Sequence, residues 1–488
     1  MKKLMAVAVF AAGLVAGVEA APTDAVTKAD LQVLIERLAK LEAENKAQAK
    51  RIAELEAADK KCAVAAPAVA PAATAVAMDE GTETNGTGRI FTTSQGFKYY
   101  LADASARIFE PLSESGLKIT PYGYLVLEAV HNTHSTELDT YADWVRSPSD
   151  PSYGDHTTVL SMQDSILGLQ FETPETYKGW RFIGRAEFDI AGDHSNDYAF
   201  HWRHLYIDAQ HESGWSILFG QTWHLWKMVT PSEIDGAWLE NAGHPYRRSP
   251  QIRVTKKWNW EDSSLEVRAG IVKGGPGMGG DRDGNGTQDN AASALPLFEA
   301  AVLYDRETGW QDEHDYAGRR WLIGIAGQYG QDRSRNFTAD GDWGDNEDFD
   351  SSMGMIAGKL PFGDFTLTGQ IFGGQNLGGV QAGIGQRVGY DEYGRGRAVR
   401  TIGGFIDLAY QLNDDWSFAI GYGFDNPNDA DARYADGRLY NDRAYIDAFY
   451  QITDNFKLGL EYGRLSTDWD KDGTGYSDRI QFSAFYDF

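Results

Sequence analysis

From about Leu117 to Phe488 the chain alternates apolar and polar residues in short stretches, each near the ten residues that a tilted membrane-crossing strand needs. Side chains on a strand point to opposite faces in turn, so such alternation marks a strand with one apolar and one polar side. Sixteen candidates begin near Leu117, Thr157, Gly179, Ala199, Gly214, Gln251, Ser263, Leu297, Arg320, Ser352, Phe365, Val399, Trp416, Arg443, Phe456 and Asp478. In "NFKLGLEYG", Phe456, Leu458, Leu460 and Tyr462 share one face, with Lys457, Gly459 and Glu461 on the other. The chain ends on "RIQFSAFYDF", where Ile480, Phe482, Ala484, Tyr486 and Phe488 alternate with Gln481, Ser483, Phe485 and Asp487. A strand this aromatic at the terminus fits a sheet closed on itself. "TVLSMQDSILGLQF" is ambiguous.

The connections give a second test. Long stretches (131–156, 225–249, 274–294, 331–349, 373–396, 425–439, 466–475) alternate with turns near Pro174, Glu212, Glu261, Pro361, Asn413 and Thr453. The loop near Gly192 is short for its class, and the connection Arg306 to Gly318 is long for its own. Long external loops and short periplasmic turns are the pattern of an outer-membrane barrel. The fold expected is therefore an all-β transmembrane barrel of about 16 antiparallel strands over 117–488, wide enough to enclose water.

The first 116 residues follow other patterns. Residues 1–20 read as a signal peptide, with Lys2 and Lys3 before an apolar run and the small-residue pattern Val18-Glu19-Ala20 after it. Residues 24–60 carry a heptad seam, with Leu31, Leu38, Asn45 and Ile52 at one position and Leu34, Leu41, Gln48 and Leu55 at the other. This is the signature of an N-terminal α-helical coiled-coil extension, placed in the periplasm by the even strand count. An amphipathic helix packed on the barrel is the bland alternative. Asn45 is the kind of residue best attested in dimers, so the seam leaves the number of partners open. Residues 61–88 are an Ala/Pro-rich linker holding the one cysteine, Cys62, and 89–116 form a pre-barrel segment.

Composition changes the picture little. The formal net charge of −26 excludes nucleic acid as a natural partner and points to acidic external loops. Polar composition is no objection to a barrel, because only alternate strand residues face lipid.

Parity then assigns the wall of the channel. In "GWRFIGRAEFDI" the apolar set Trp180, Phe182, Gly184, Ala186 and Phe188 leaves Arg181, Arg185, Glu187 and Asp189 inside. The same rule turns Arg253, Thr255, Lys257, Glu266, Arg268 and Arg479 inward. The cations among them are candidates for an anion path. The alternative is a mixed, unselective wall, since parity says nothing of height. The third external loop, "WKMVTPSEIDGAWLENAGHPYRRSP", mixes Trp226, Trp238 and Leu239 with Glu233, Asp235, Glu240, Arg247 and Arg248. Aromatic residues on so long a loop predict that it packs inside the barrel and narrows it, or else latches onto a neighbouring subunit.

"FHWRHLYIDAQHESGWSILFGQTWHLW" (Phe200–Trp226) and the later "RRSPQIRVT" resemble the corresponding region of the DcaP-like outer-membrane porins, as does the layout of the whole chain. The resemblance implies a homotrimer with a periplasmic coiled coil, passing small anionic solutes, dicarboxylates among them, past basic pore residues. Gly220, Gln221, Thr222 and Trp223 match that family's strand-end motif, and Arg253 its arginine after the third loop. Acidic external loops are not a family feature. The function expected is thus passive diffusion in the outer membrane of a Gram-negative bacterium, in contact with its lipid. The rival from another class is a structural envelope protein that tethers the membrane to a cell-wall component through the coil.

No cofactor is required on this reading. Two stretches resemble the start of a calcium loop: Asp281, Asp283, Asn285 and Asp289, and Asp468, Asp470 and Asp472. Both lack the closing Glu at position 12, so structural Ca2+ in the external loops competes with plain solvated turns. No catalytic constellation emerges and no enzyme is expected. His201 and His204 alternate across a strand, which is poor geometry for shared ligation.

Overall fold

The computed structural model describes residues 91–92, 98–99, 117–173, 178–191, 200–274, 295–307, 320–337 and 343–488. The expected signal peptide, coiled coil and linker, and most of the pre-barrel segment, lie outside these residues. Phe91–Thr92 and Lys98–Tyr99 pair as a short antiparallel ladder.

The strands are β1 (Lys118–Asn132), β2 (in two pieces, Thr157–Ser161 and Ile166–Glu172), β3 (Trp180–Asp189), β4 (His201–His211), β5 (Trp215–Trp223), β6 (Arg248–Asn259), β7 (Ser263–Val272) and β8 (Leu297–Glu307). They continue as β9 (Arg320–Phe337), β10 (Trp343–Phe362), β11 (Phe365–Gln375), β12 (Arg400–Gln411), β13 (Trp416–Pro427), β14 (Arg438–Thr453), β15 (Phe456–Trp469) and β16 (Gly473–Asp487). Each pairs antiparallel with the next, and β16 pairs with β1 to close the barrel. Closure removes the open edges that hydrocarbon cannot tolerate. The seam runs to the last residue, where Phe488 and Gly123 exchange backbone hydrogen bonds of 3.0 and 3.3 Å.

The expected strands are present, and three begin earlier than expected: β10 at Trp343, β14 at Arg438 and β16 at Gly473. The reason is physical. Their added residues stand at the external end, where Asp348, Asp350, Tyr440, Asp442 and Tyr476 replace the aliphatic residues that mark a lipid-facing position. The ambiguity in "TVLSMQDSILGLQF" also has a cause: β2 leaves its ladder between Ser161 and Ile166. Ser165 fills the gap, its Oγ accepting from Val126 N–H at 3.0 Å and lying 3.3 Å from Val126 C=O.

Faces sort as parity demands. On β16, Ile480 and Phe482 are exposed on the outer wall, whereas Arg479, Gln481 and Ser483 are buried inside. The buried lumen residues of the described barrel are largely polar and charged, with apolar clusters around Trp226 and Phe372 and around Leu239 and Phe405 where loop residues pack on the wall.

Candidate pore constriction

The third external loop, L3 (224–247), does not stand in solvent. It leaves β5, crosses the lumen and lies against the inner wall. At its start Glu299 of β8 accepts from Leu225 N–H at 2.9 Å and from Trp226 Nε1–H at 3.0 Å. At its far side Ser232 donates to Asp407 of β12 at 3.1 Å, and Gln370 of β11 donates to Gly243 C=O at 3.1 Å. Gly243 has φ +107°, and a Cβ there would stand 2.1 Å from Gly404 C=O. Only glycine lets the loop lie this close to β12.

Two arginines latch the middle of the loop. Arg443 of β14 pairs with Asp235 at 2.7 Å, Glu233 at 3.0 Å and Glu461 of β15 at 2.6 Å. Arg479 of β16 pairs with Asp235 at 3.2 Å. All five side chains are fully buried. Burial drives the Asp235 carboxyl up, but Arg479, Arg443 and the Ala237 N–H outweigh it and hold the group below its ordinary value. Glu233 is different: burial pushes its carboxyl well above the usual range despite Arg443.

Two further loops fold inward. Asp143 of L1 (133–156) accepts from Asn241, and its carbonyl accepts from Asn441 at 2.9 Å. In L6 (376–399), Leu377, Ile384 and Gln386 are buried, and Arg438 donates to Ile384 C=O at 2.9 Å. The third loop's aromatic content announced its packing, but nothing comparable marked L1 and L6.

Two cavities lie among the described residues of the lumen and its mouth. The larger, about 680 Å3, is lined by residues from Arg247 and Gly378 in the external loops to Lys457 and Asp487 at the periplasmic ends of β15 and β16. Acidic groups of L1 and L3, including Asp143 and Glu240, face Arg203, Arg247 and Arg248 across it. The smaller, about 480 Å3, lies at the periplasmic ends of β3 to β7 and holds Arg181, Arg253, Lys257, Asp208 and Glu266.

The expected pore cations occupy three kinds of place. Arg181 pairs with Glu172 at 3.2 Å, Arg185 with Glu187 at 2.7 Å, and Arg268 with Glu266. Arg253 and Lys257 line the lower cavity, and the Nε of Arg253 is buried without a hydrogen-bond partner. Arg479 is not a water-facing cation: it is fully buried and also donates to Thr140 C=O of L1 at 2.5 Å. Parity was right about its side of the wall, and the covering loops decide the rest. The same correction applies to Asp235, which holds L3 to the wall instead of lining the opening, whereas Glu233 both pairs with Arg443 and lines the larger cavity. Glu240 accepts from Tyr246 at 3.0 Å, and Arg247 donates to Gly379 C=O at 2.8 Å. Arg248 stacks on Trp223, its guanidinium carbon 4.3 Å from the ring centroid.

Arg203 was missed. A register shift where Glu187 faces His204 and Phe188 faces Trp202 leaves Arg203 as the extra residue of a bulge. It reaches Glu187 at 2.9 Å and Asp189 at 2.8 Å and lines the larger cavity. The clue lay in "HWRHLYI", where the outward residues Trp202, Leu205 and Ile207 change phase by one. The bulge also overturns the alternation expected of His201 and His204. Both turn inward, His201 to Asp189 at 3.1 Å and His204 to Thr222 at 2.9 Å. The strand-end motif maintains this arrangement. Gln221 donates to Trp202 C=O at 2.6 Å and Arg203 C=O at 3.4 Å, the carbonyls that the bulge takes out of the ladder.

Among the described residues no group of three His, Cys, Asp or Glu side chains is placed to hold a metal ion. Asp468 accepts from Thr474 at 2.5 Å, Asp470 faces Arg433 at 3.7 Å and Asp472 accepts from Ser147 at 2.6 Å. The stretch from Asp281 to Asp289 lies outside the described residues. Ser249, His224 and Glu299 line up as a nucleophile, base and orienting acid do, with His224 at 3.0 Å from Ser249 and 2.5 Å from Glu299. Their exposures are 4%, 1% and 3%, and Glu299 also carries the L3 backbone, so the three tie loop to wall.

No family model matches the chain, and no curated protein matches it. Among solved structures, the outer membrane channel DcaP of Acinetobacter baumannii superposes with a TM-score of 0.61 at 19% identity, over 76% of this chain and 97% of that one. OprB of Pseudomonas putida, in a structure described as a high-pH form, superposes with a TM-score of 0.51 at 8% identity, over 80% and 98%. The chain shares with the DcaP channel the fold of a closed sixteen-stranded barrel.

Proposed function

We propose that the chain is an outer-membrane porin, a water-filled channel for passive diffusion of small hydrophilic solutes that favours small anions such as dicarboxylates. The observation that carries this reading is a closed barrel whose lumen L3 narrows without filling, leaving a cavity that runs from external loops to periplasmic strand ends. The shared fold supports it, the superposed structure being that of an outer membrane channel. Residence in the outer membrane of a Gram-negative bacterium, with the coiled coil in the periplasm, follows from the same reading. The homotrimer rests on the unpaired heptad seam and on the resemblance to DcaP-like porins.

Selectivity belongs to cations that no carboxylate neutralises. Among the described residues Arg253 and Lys257 form no ion pair, though Asp208 and Glu266 share the lower cavity with them, and a guanidinium grips a carboxylate in a fork as an ammonium does not. External acidic groups act over roughly 8 Å at physiological salt, so a close-range cation still decides which ion passes. The test is solute flux and reversal potential for the purified protein in a planar bilayer. Anions should pass in preference to cations, dicarboxylates in preference to neutral sugars of equal size, and Arg253→Ala should lower the preference more than Arg253→Lys. Absence of conductance, or cation selectivity, would reject the reading.

A further inference from the structure

Two cations at the larger cavity have no ion-pair partner among the described residues: Arg248 lines the cavity, and Lys227 lies over two of the indoles that line it. Arg248, the first residue of β6, lies flat over Trp223 at 4.3 Å, and its buried Nη1 meets no acceptor. Lys227, in the first turn of L3, projects between Trp223 and Trp238, 5.3 and 5.7 Å from their ring centroids, and donates to Thr230. Neither has a carboxylate within ion-pair distance among the described residues. The neighbouring arginines differ: Arg203 is held by Glu187 and Asp189, and Arg185 by Glu187. Trp223, Trp238 and Arg248 all line the cavity.

Indole faces stabilise a cation only in part, and partly buried charges without counter-ions are costly. An anion entering the cavity would supply what the wall lacks: an acceptor for Arg248 Nη1 and a counter-charge for Lys227. We infer that Arg248, which lines the cavity, and Lys227, which shares the Trp223 ring with it, form an anion-binding station at L3, above the Arg253–Lys257 cavity. The inference rests on the channel reading and adds to it the residues of a second, upper step. Its ligand is a small carboxylate or inorganic anion whose apolar part, where it has one, meets the two indoles. The station is also sensitive to pH. Burial, and then the charge of Arg248, push the Lys227 amine down to about 8. The other titratable and charged groups around the station are His204 and Tyr246 against Trp223, Glu187, Asp189 and Arg203 on the side of Arg248, and His244, which burial keeps neutral by holding its imidazole down at about 3. The station therefore carries two charges below that pH and one above it.

The test uses the full-length protein in a planar bilayer under a KCl gradient, read from about pH 6 to about pH 9. In the wild type the anion-to-cation permeability ratio should fall by roughly half as pH rises through the titration of Lys227. Lys227→Met should show the low ratio throughout, Lys227→Arg the high ratio throughout, and Arg248→Gln a lower ratio at every pH. The station is overturned if an anion-selective wild type keeps its ratio in both Lys227→Met and Arg248→Gln, or if Lys227→Arg retains the step. A wild type that conducts without anion preference overturns the channel's selectivity first, and the station with it.

Discussion

Two walls of the same barrel carry inward arginines and use them in opposite ways. On β3 to β6, Arg181, Arg203, Arg248 and Arg253 border cavities. On β14 and β16, Arg443 and Arg479 are covered by L3 and have no exposed side-chain area. The residue type and the strand parity are identical. What differs is whether a loop brings carboxylates to meet them. A guanidinium next to water can serve a passing anion, whereas one under Asp235 and Glu233 is part of the structure that narrows the pore.

The sharpest way to break the comparison is to disarm the covered wall. Arg443→Ala leaves Glu233, Asp235 and Glu461 buried without their common cation, which costs about 3–5 kcal/mol. L3 should leave the wall, so single-channel conductance should rise while heat resistance on electrophoresis falls. Unchanged conductance would mean that Arg479, Glu299 and the contacts of Ser232 and Gly243 hold the loop without Arg443. The matching change on the open wall, Arg253→Ala, should alter reversal potential and leave heat resistance almost as it was.

A smaller effect separates the two carboxylates of the latch. Asp235 is held below its ordinary value, so its contribution is present above the unfolded pKa and is lost as pH falls through the lower folded one. Asp235→Asn should cost about 2 kcal/mol or more at neutral pH and flatten the acid limb of the stability profile. Glu233 is pushed the other way by burial despite Arg443, so its charge is less favoured than that of Asp235 and Glu233→Gln removes less. It should cost less than about 1 kcal/mol. Urea unfolding from lipid vesicles across pH measures both, and equal costs would show that the pair shares one charge.

Much of this was legible in the sequence. Period-two alternation located the strands, long and short connections told the two ends of the barrel apart, and Trp226, Trp238 and Leu239 marked L3 as a loop that packs. Alternation failed where the backbone breaks period, at the gap in β2 and the bulge at Arg203. It also stopped short where β10, β14 and β16 leave the membrane and no longer need aliphatic residues outside. The latch was beyond reach for another reason. Asp235 and Arg443 are 208 residues apart, and no local pattern says which carboxylate a loop will carry to which arginine.

The smallest effect concerns the open wall, and it starts on the outer face of the barrel. Gln221 touches neither cavity, yet its amide donates to Trp202 C=O and Arg203 C=O, the carbonyls freed by the bulge. Without it the bulge loses about 0.5–1.5 kcal/mol of support. The competing arrangement, in regular register, would turn Arg203 or His204 toward lipid, which is far more expensive. The bulge should therefore persist in Gln221→Ala, with a looser Arg203 and a modest fall in stability. Because Arg203 is already paired with Glu187 and Asp189, ion selectivity should barely move. A large change of reversal potential in Gln221→Ala would show that Arg203, and not Arg248 and Arg253, which form no ion pair among the described residues, governs the passage of anions.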